Sequence, residues 1–218
     1  MSRRKKTKAW LARHRSDPFV RRAREEGKRS RAAFKLSEIL DRFSIRLRKG
    51  GVAIDLGAAP GAWSEELARR LGKAGLVIAI DRLPMQPIAG VHFVQGDFTT
   101  PEVQQAVERL LAGRKANVVV SDAAPDLCGI AFVDQARSIE LAKAAFALAR
   151  CWLAERGAFV VKTFRGEGWQ QLRTELAAAF DELRAFKPAA SRAQSAEIYL
   201  VGLGFRRAGL NGDCQGAE

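Results

Sequence analysis

From Gly51 onward the chain alternates short apolar runs with stretches whose apolar residues recur at helical spacing. The runs at 52–56, 76–80, 92–94, 117–121, 157–163 and 198–203 predict strands, with another near 183–187. Between them the periodicity predicts helices over 62–71, 101–112, 134–155 and 169–180. Strands that are apolar at almost every position and separated by helices predict a mostly parallel sheet of seven strands, covered on both faces. The last two strands are joined by a loop, which predicts an antiparallel hairpin at one edge. Before Gly51 the pattern differs. Asp17 is an N-cap, Pro18 sits at the first helical position, and Gly27 is a natural stop. Ser30 caps a second helix, with Phe34, Leu36, Ile39, Leu40 and Phe43 on one apolar face.

The pattern divides the chain into an aperiodic basic arm (1–16), a basic helical segment (17–49), one α/β domain (50–208) and a polar, Gly-rich tail (209–218) that reads as disordered. Charge sharpens this division. The 218 residues hold 37 Lys+Arg against 24 Asp+Glu, for a net charge of +13 and a pI near 10.4. Residues 1–49 hold 18 basic and 5 acidic side chains, which is the whole excess; the remaining 19 of each sign cancel. One sign concentrated in one quarter of the chain points to a polyanion, nucleic acid first, with an anionic membrane surface as the rival. With 47% hydrophobic and 28% charged residues the chain is too apolar for overall disorder. No apolar run reaches the roughly 18 residues of a membrane span. The basic start has no apolar core, which argues against a secretory signal and leaves a mitochondrial transit peptide as the minor alternative to a cytoplasmic protein. Cys128, Cys151 and Cys214, with His14 and His92, lack metal-ligand spacing, so no metal site is expected.

The first predicted strand runs into DLGAAPGAWS at 55–64. Small residues in a strand-to-helix turn let a ligand approach the backbone, and Gly57, Pro60 and Gly61 form that turn here. Asp81 closes the second strand, 26 residues after Asp55, where an acid accepts hydrogen bonds from ribose hydroxyls. Asp97 and Phe98 follow the third strand, where a carboxylate and an aromatic suit the amino group and face of adenine. Three acids at the carboxyl ends of three strands predict an adenosine site. The dinucleotide fingerprint G-x-G-x-x-G is absent, so S-adenosyl-L-methionine fits better than a pyrophosphate-bearing cofactor.

Seven stretches occur in a fixed order: SRAAFKL (30–36), DLGAAPGAWS (55–64), DRLPM (81–85), QGDF (95–98), SDAAP (121–125), VVKTFRGEG (160–168) and SRAQSAEIY (191–199). Together they closely resemble the FtsJ/RrmJ (RlmE) family of ribosomal RNA methyltransferases, from about residue 17 to 205. The resemblance implies a Rossmann-like class I methyltransferase that uses S-adenosyl-L-methionine. The implied reaction is 2′-O-methylation of a uridine in the A loop of 23S rRNA on the large ribosomal subunit, by a monomer. It implies a catalytic tetrad of Lys35, Asp122, Lys162 and Glu197, and cofactor contacts at Gly61, Trp63, Asp81, Asp97 and Asp122. Two departures stand out. Ala62 replaces a commonly repeated glycine, and Asp126-Leu127-Cys128 replaces a typical Asn-Met-Ser.

The chemistry is consistent with that set. A ribose hydroxyl must lose its proton as it attacks, and a lysine accepts it only in its neutral form, which burial or a second ammonium favours. Lys162 is the expected base, Lys35 its modulator, and Asp122 and Glu197 the groups that orient both amines. Taken singly, each has a plainer reading. Lys162 is a strand-end lysine, Lys35 and Glu197 are surface charges, and Trp63 is a core aromatic. Lys28, Arg29 and Arg192 are the expected RNA contacts beyond the arm, and Arg31 and Tyr199 are expected either to contact RNA or to support the site residues from behind. Methylation of tRNA or another RNA is the competing enzyme reading, and a non-catalytic ribosome-assembly factor is the competing class.

Overall fold

The apolar run after Gly51 becomes an inner strand of a seven-stranded sheet in a computed structural model that describes residues 17–192 and 194–207. The expected arm and tail lie outside the described residues. Two helices come first, α1 (Pro18–Glu25) and α2 (Ala32–Arg42). Then follow β1 (Val52–Leu56), α3 (Ala62–Leu71), β2 (Leu76–Asp81), β3 (Val91–Gln95), α4 (Pro101–Leu111) and β4 (Ala116–Ser121). The chain continues through α5 (Ala131–Trp152), β5 (Leu153–Phe164), α6 (Trp169–Ala179), β6 (Phe180–Phe186) and β7 (Glu197–Phe205). Strand order is β3-β2-β1-β4-β5-β7-β6, with β7 antiparallel to both of its neighbours and the β3-to-β5 run parallel.

Alternating side chains give the sheet two apolar faces. Val52, Ile54, Leu56, Val119, Phe159 and Val161 join Val107, Leu111, Ile139, Phe146, Leu172 and Leu176 of α4, α5 and α6. Their neighbours Ala53, Val118, Val120, Val160 and Tyr199 join Leu36, Ile39, Leu40, Trp63 and Leu67 of α2 and α3. Leu36, Ile39 and Leu40 are buried to 1% or less, and each contributes about 1.5–3 kcal/mol relative to exposure. That burial docks α2 on the sheet. The Asp17 cap holds, its carboxylate accepting from the backbone N–H of Phe19 at 3.0 Å, whereas α2 has Arg31 at its N-cap and Ser30, one residue earlier, accepts from the Ala32 N–H at 3.1 Å.

One expectation is corrected and another is borne out in fuller detail. The long helix was expected to reach 155 but ends at Trp152, because Leu153 pairs with Ala116 of β4 and starts the next strand. Helix-favouring Leu-Ala-Glu is overridden by that pairing, and Arg156 at φ 66° then kinks the strand. The hairpin also has a more specific form. β7, the last strand, inserts between β5 and β6, so β6 takes the edge. Ile198 to Val201 are buried on both faces, which suits an interior strand, whereas β6 is exposed at Asp181, Glu182, Arg184 and Ala185. Among the described residues no helix is long and apolar enough to cross a membrane.

Candidate active site

Parallel strands point their carboxyl ends to one edge, and that edge gathers the acids. The turn after β1 passes so close to the β4 loop that a Cβ on Gly57 (φ +76°) would lie 2.6 Å from Ala123 Cα. Only glycine allows that approach. Asp81 holds the turn from β2: one carboxylate oxygen accepts from Ala59 N at 2.9 Å and the other from Leu83 N at 2.8 Å. Arg29 holds it from outside, donating to the carbonyls of Pro60, Gln86 and Pro87 at 3.3, 3.2 and 2.8 Å. Asp97 accepts from the Thr99 N–H and hydroxyl at 2.9 and 2.7 Å, and these bonds keep its pKa below the usual value. Asp55 lies fully buried beneath the turn. Ser64 Oγ donates to one of its oxygens at 2.6 Å, and the other oxygen has no partner. Burial pushes its pKa up to about 7, with the Asp122 and Asp81 charges adding to the shift against the Ser64 hydrogen bond.

Next to the acids is a cluster of paired charges. Lys162 on β5 and Tyr199 on β7 are direct cross-strand partners, so both face α2. Lys162 Nζ lies 3.0 Å from Asp122 Oδ1 and donates to the Asp122 carbonyl at 2.5 Å. Tyr199 donates its hydroxyl to the same Asp122 oxygen at 2.7 Å and accepts from Lys35 Nζ at 3.1 Å. Lys35 Nζ also pairs with Glu197 Oε1 at 2.7 Å, and Ser191 Oγ donates to that oxygen at 2.6 Å. Burial opposes ionisation of Asp122, but the ammonium groups of Lys162 and Lys35 and the donated hydrogen bonds outweigh it and hold its pKa below normal. At Glu197 burial is likewise outweighed by Lys35 and Ser191. Burial, and then the Asp122 and Glu197 charges, push the Tyr199 phenol well above its ordinary value, so it stays a donor.

A profile of FtsJ-like methyltransferases matches residues 28–205. This chain belongs to the FtsJ-like methyltransferase family. It is 47% identical over 208 residues to the "Ribosomal RNA large subunit methyltransferase E" of Verminephrobacter eiseniae, covering 95% of this chain and 86% of that one. It is 48% identical over 206 residues to the protein of the same name from an Azoarcus species, covering 94% and 100%. Among solved structures it resembles a "ribosomal RNA methyltransferase, putative" from Plasmodium falciparum. That match has a TM-score of 0.72 and 29% identity, and covers 81% of this chain and 98% of that one.

The four tetrad positions therefore converge in one hydrogen-bonded chain of this FtsJ-like fold. Glu197 reaches it because β7 runs antiparallel and starts at the edge where β5 ends. Asp55, Gly57, Pro60, Gly61, Asp81 and Asp97 surround the neighbouring turn. Two aromatics lie elsewhere than a ligand face. Trp63 is 2% exposed and donates its indole N–H to the Ala32 carbonyl at 2.8 Å, which leaves its backbone at the turn. Phe98 belongs to the apolar core on the α4–α5 side. The RNA-contact expectations divide similarly. Tyr199 is 0% exposed and has no surface to present to RNA. Arg31 pairs with Asp17, Arg29 clamps loops, and Lys28 lies 4.0 Å from Glu66, while Arg192 is exposed. Tyr199 takes the supporting role that was its second expectation, bridging Lys35 and Asp122. Sequence reasoning missed the Ser191 support of Glu197, because Ser191 lies in the loop before β7 and only the fold brings the two together. Among the described residues no group of three or more His, Cys, Asp or Glu side chains is placed to hold a metal ion.

Proposed function

We propose that this FtsJ-like methyltransferase transfers a methyl group from S-adenosyl-L-methionine to a ribose 2′-oxygen of the large-subunit ribosomal RNA, a uridine in the A loop of 23S rRNA. The carrying observation is that Lys162 is held by two oxygens of Asp122, at the border of the acid-rimmed glycine turn. The relatives' names supply the ribosomal RNA and the large subunit. On this reading the protein works in the cytoplasm, with one copy of the chain as the working unit.

The turn suits that cofactor. Asp81 and Asp97 suit ribose hydroxyls and an adenine amino group, and the Asp55 oxygen without a partner, beneath the turn, suits a cation above it. The cofactor supplies a methyl on a sulfonium, whose bonding pair returns to sulfur as the new C–O bond forms. In its neutral form Lys162 donates both N–H groups to Asp122 and keeps its lone pair for the proton of the 2′-hydroxyl. Lys35, fixed by Glu197 and Tyr199, holds a positive charge where the oxygen becomes anionic. Positioning oxygen and methyl in line supplies much of the rate, with effective molarities of about 10⁵ M and above.

The test is incubation with labelled S-adenosyl-L-methionine and large ribosomal subunits, followed by mapping of the modified nucleotide. Label on a single A-loop uridine ribose is expected. Label confined to tRNA would move the substrate, and no transfer to any RNA would defeat the enzyme reading.

A further inference from the structure

We infer that the loop joining β4 to α5, together with the first turn of α5, is a stacking platform for an unpaired nucleobase of the RNA substrate, built from Leu127 and Ile130 of the loop and Phe132 of the helix. This rests on the RNA-methylation reading above and names what recognises the RNA beside the reacting centre. The described residues leave four large hydrophobic side chains strongly exposed: Leu83, Leu127, Ile130 and Phe132, each above 60%. Three of them fall within six positions, Leu127 and Ile130 in the loop that starts at Asp122 and Phe132 in the first turn of α5. The fourth follows β2, in a loop that the Arg82–Asp126 pair, at 3.3 Å, joins to the first. Single exposed apolar residues are ordinary, but a cluster of them on one rim marks a binding surface.

The loop is built to display them. Asp134, 8% exposed, accepts from the backbone N–H groups of Cys128 and Gly129 at 2.8 and 3.0 Å. Gln135, 7% exposed, donates to the Glu167 carbonyl at 2.7 Å, and Arg137 to the Asp126 carbonyl at 3.2 Å. A Cβ at Gly166 would lie 2.6 Å from the Gln135 amide carbon, so this closely packed contact ties the loop to the end of the strand that carries Lys162. Asp134 and Gln135 therefore turn inward while Leu127, Ile130 and Phe132 face outward.

The setting favours a base over a protein partner. Four side chains fall far short of the roughly 20–30 residues a side of a stable protein interface. Single-stranded RNA is held by flat apolar or aromatic surfaces interleaved with cations, and the exposed Arg82, Arg137 and Arg165 stand on the same rim. A base held on Phe132 also fixes its sugar through the glycosidic bond, which in-line attack by a 2′-oxygen requires.

The experiment compares wild type with Phe132→Ser, Ile130→Ser and Phe132→Tyr, all at exposed positions. It measures KM and kcat on large subunits, cofactor Kd, and quenching of a single-stranded oligoribonucleotide carrying 2-aminopurine. Phe132→Ser is expected to raise KM about tenfold or more and abolish quenching, with cofactor Kd unchanged. Ile130→Ser should do the same more weakly, and Phe132→Tyr should stay within about twofold of wild type. Unchanged KM and quenching in Phe132→Ser would overturn the platform. So would a weakened cofactor Kd, which would make the patch an adenine cover. A defect on subunits with normal quenching and normal activity on protein-free 23S RNA would also overturn it, by assigning the patch to a ribosomal protein. Wild type that quenches the probe but methylates no RNA would sink the methylation reading and leave the platform standing.

Discussion

Asp55 and Asp122 make an instructive pair. One lies on β1 and the other just after β4, on neighbouring strands whose ends meet at the site. Burial opposes ionisation of both, completely enclosing Asp55 and leaving Asp122 partly exposed. At Asp55 burial prevails over the hydrogen bonds from Ser64, with the nearby Asp122 and Asp81 carboxylates adding to it, and the pKa rises to about 7. At Asp122 two ammonium groups and a phenol prevail instead, and the acid stays ionised. Depth in the fold does not decide the charge of a carboxylate; the partners that converge on it do. The same edge of the sheet thus holds a fixed anion that orients an amine and a second acid whose ionisation an incoming cation would favour.

The largest effect expected from breaking this arrangement is at Lys162. Lys162→Ala should slow methyl transfer about 10²–10⁴-fold in single-turnover assays on large subunits, with cofactor affinity within about twofold of wild type. Asp122→Asn leaves two buried ammonium groups with one carboxylate between them. It should lower unfolding free energy by about 3–5 kcal/mol, read from urea midpoints at neutral pH. Asp55→Asn should act in the opposite direction. The raised native pKa of Asp55 stabilises the fold fully below pH 3.8, and that contribution is lost as pH rises through about 7. The variant should therefore exceed wild type by up to about 4 kcal/mol at pH 8 and match it near pH 4. Equal stability at both pH values would show that Asp55 is ionised normally. Tyr199→Phe is the mildest change. Loss of the hydroxyl between Lys35 and Asp122 should cost about 1–2 kcal/mol and lower kcat without altering KM for the RNA.

The pattern of apolar positions located every strand and helix among the described residues to within a few positions, since a parallel sheet covered on both faces imposes continuous apolar runs separated by helical spacings that a chain can hardly hide. Its failures share a cause. Residues 153–155 favour a helix locally, and only their place beside Ala116 makes them a strand. The acids at the strand ends were legible because topology alone assigns a function to strand ends. The lysine cluster was legible only through the order of seven short stretches, because Lys35, Asp122, Lys162 and Glu197 are far apart in the chain and each is unremarkable alone.

The sequence by itself therefore determined the layered α/β architecture, the acid-rimmed turn, and a charge excess confined to the first 49 residues. Each follows from local periodicity, turn chemistry or counting. Tertiary structure decided the rest. Burial of Leu36, Ile39 and Leu40 docks α2 and delivers Lys35, and the reversed β7 brings Tyr199 and Glu197 to the end of β5. It also decided which of these two aspartates keeps its charge, because electrostatic partnership depends on distances in space that spacing along a chain does not contain.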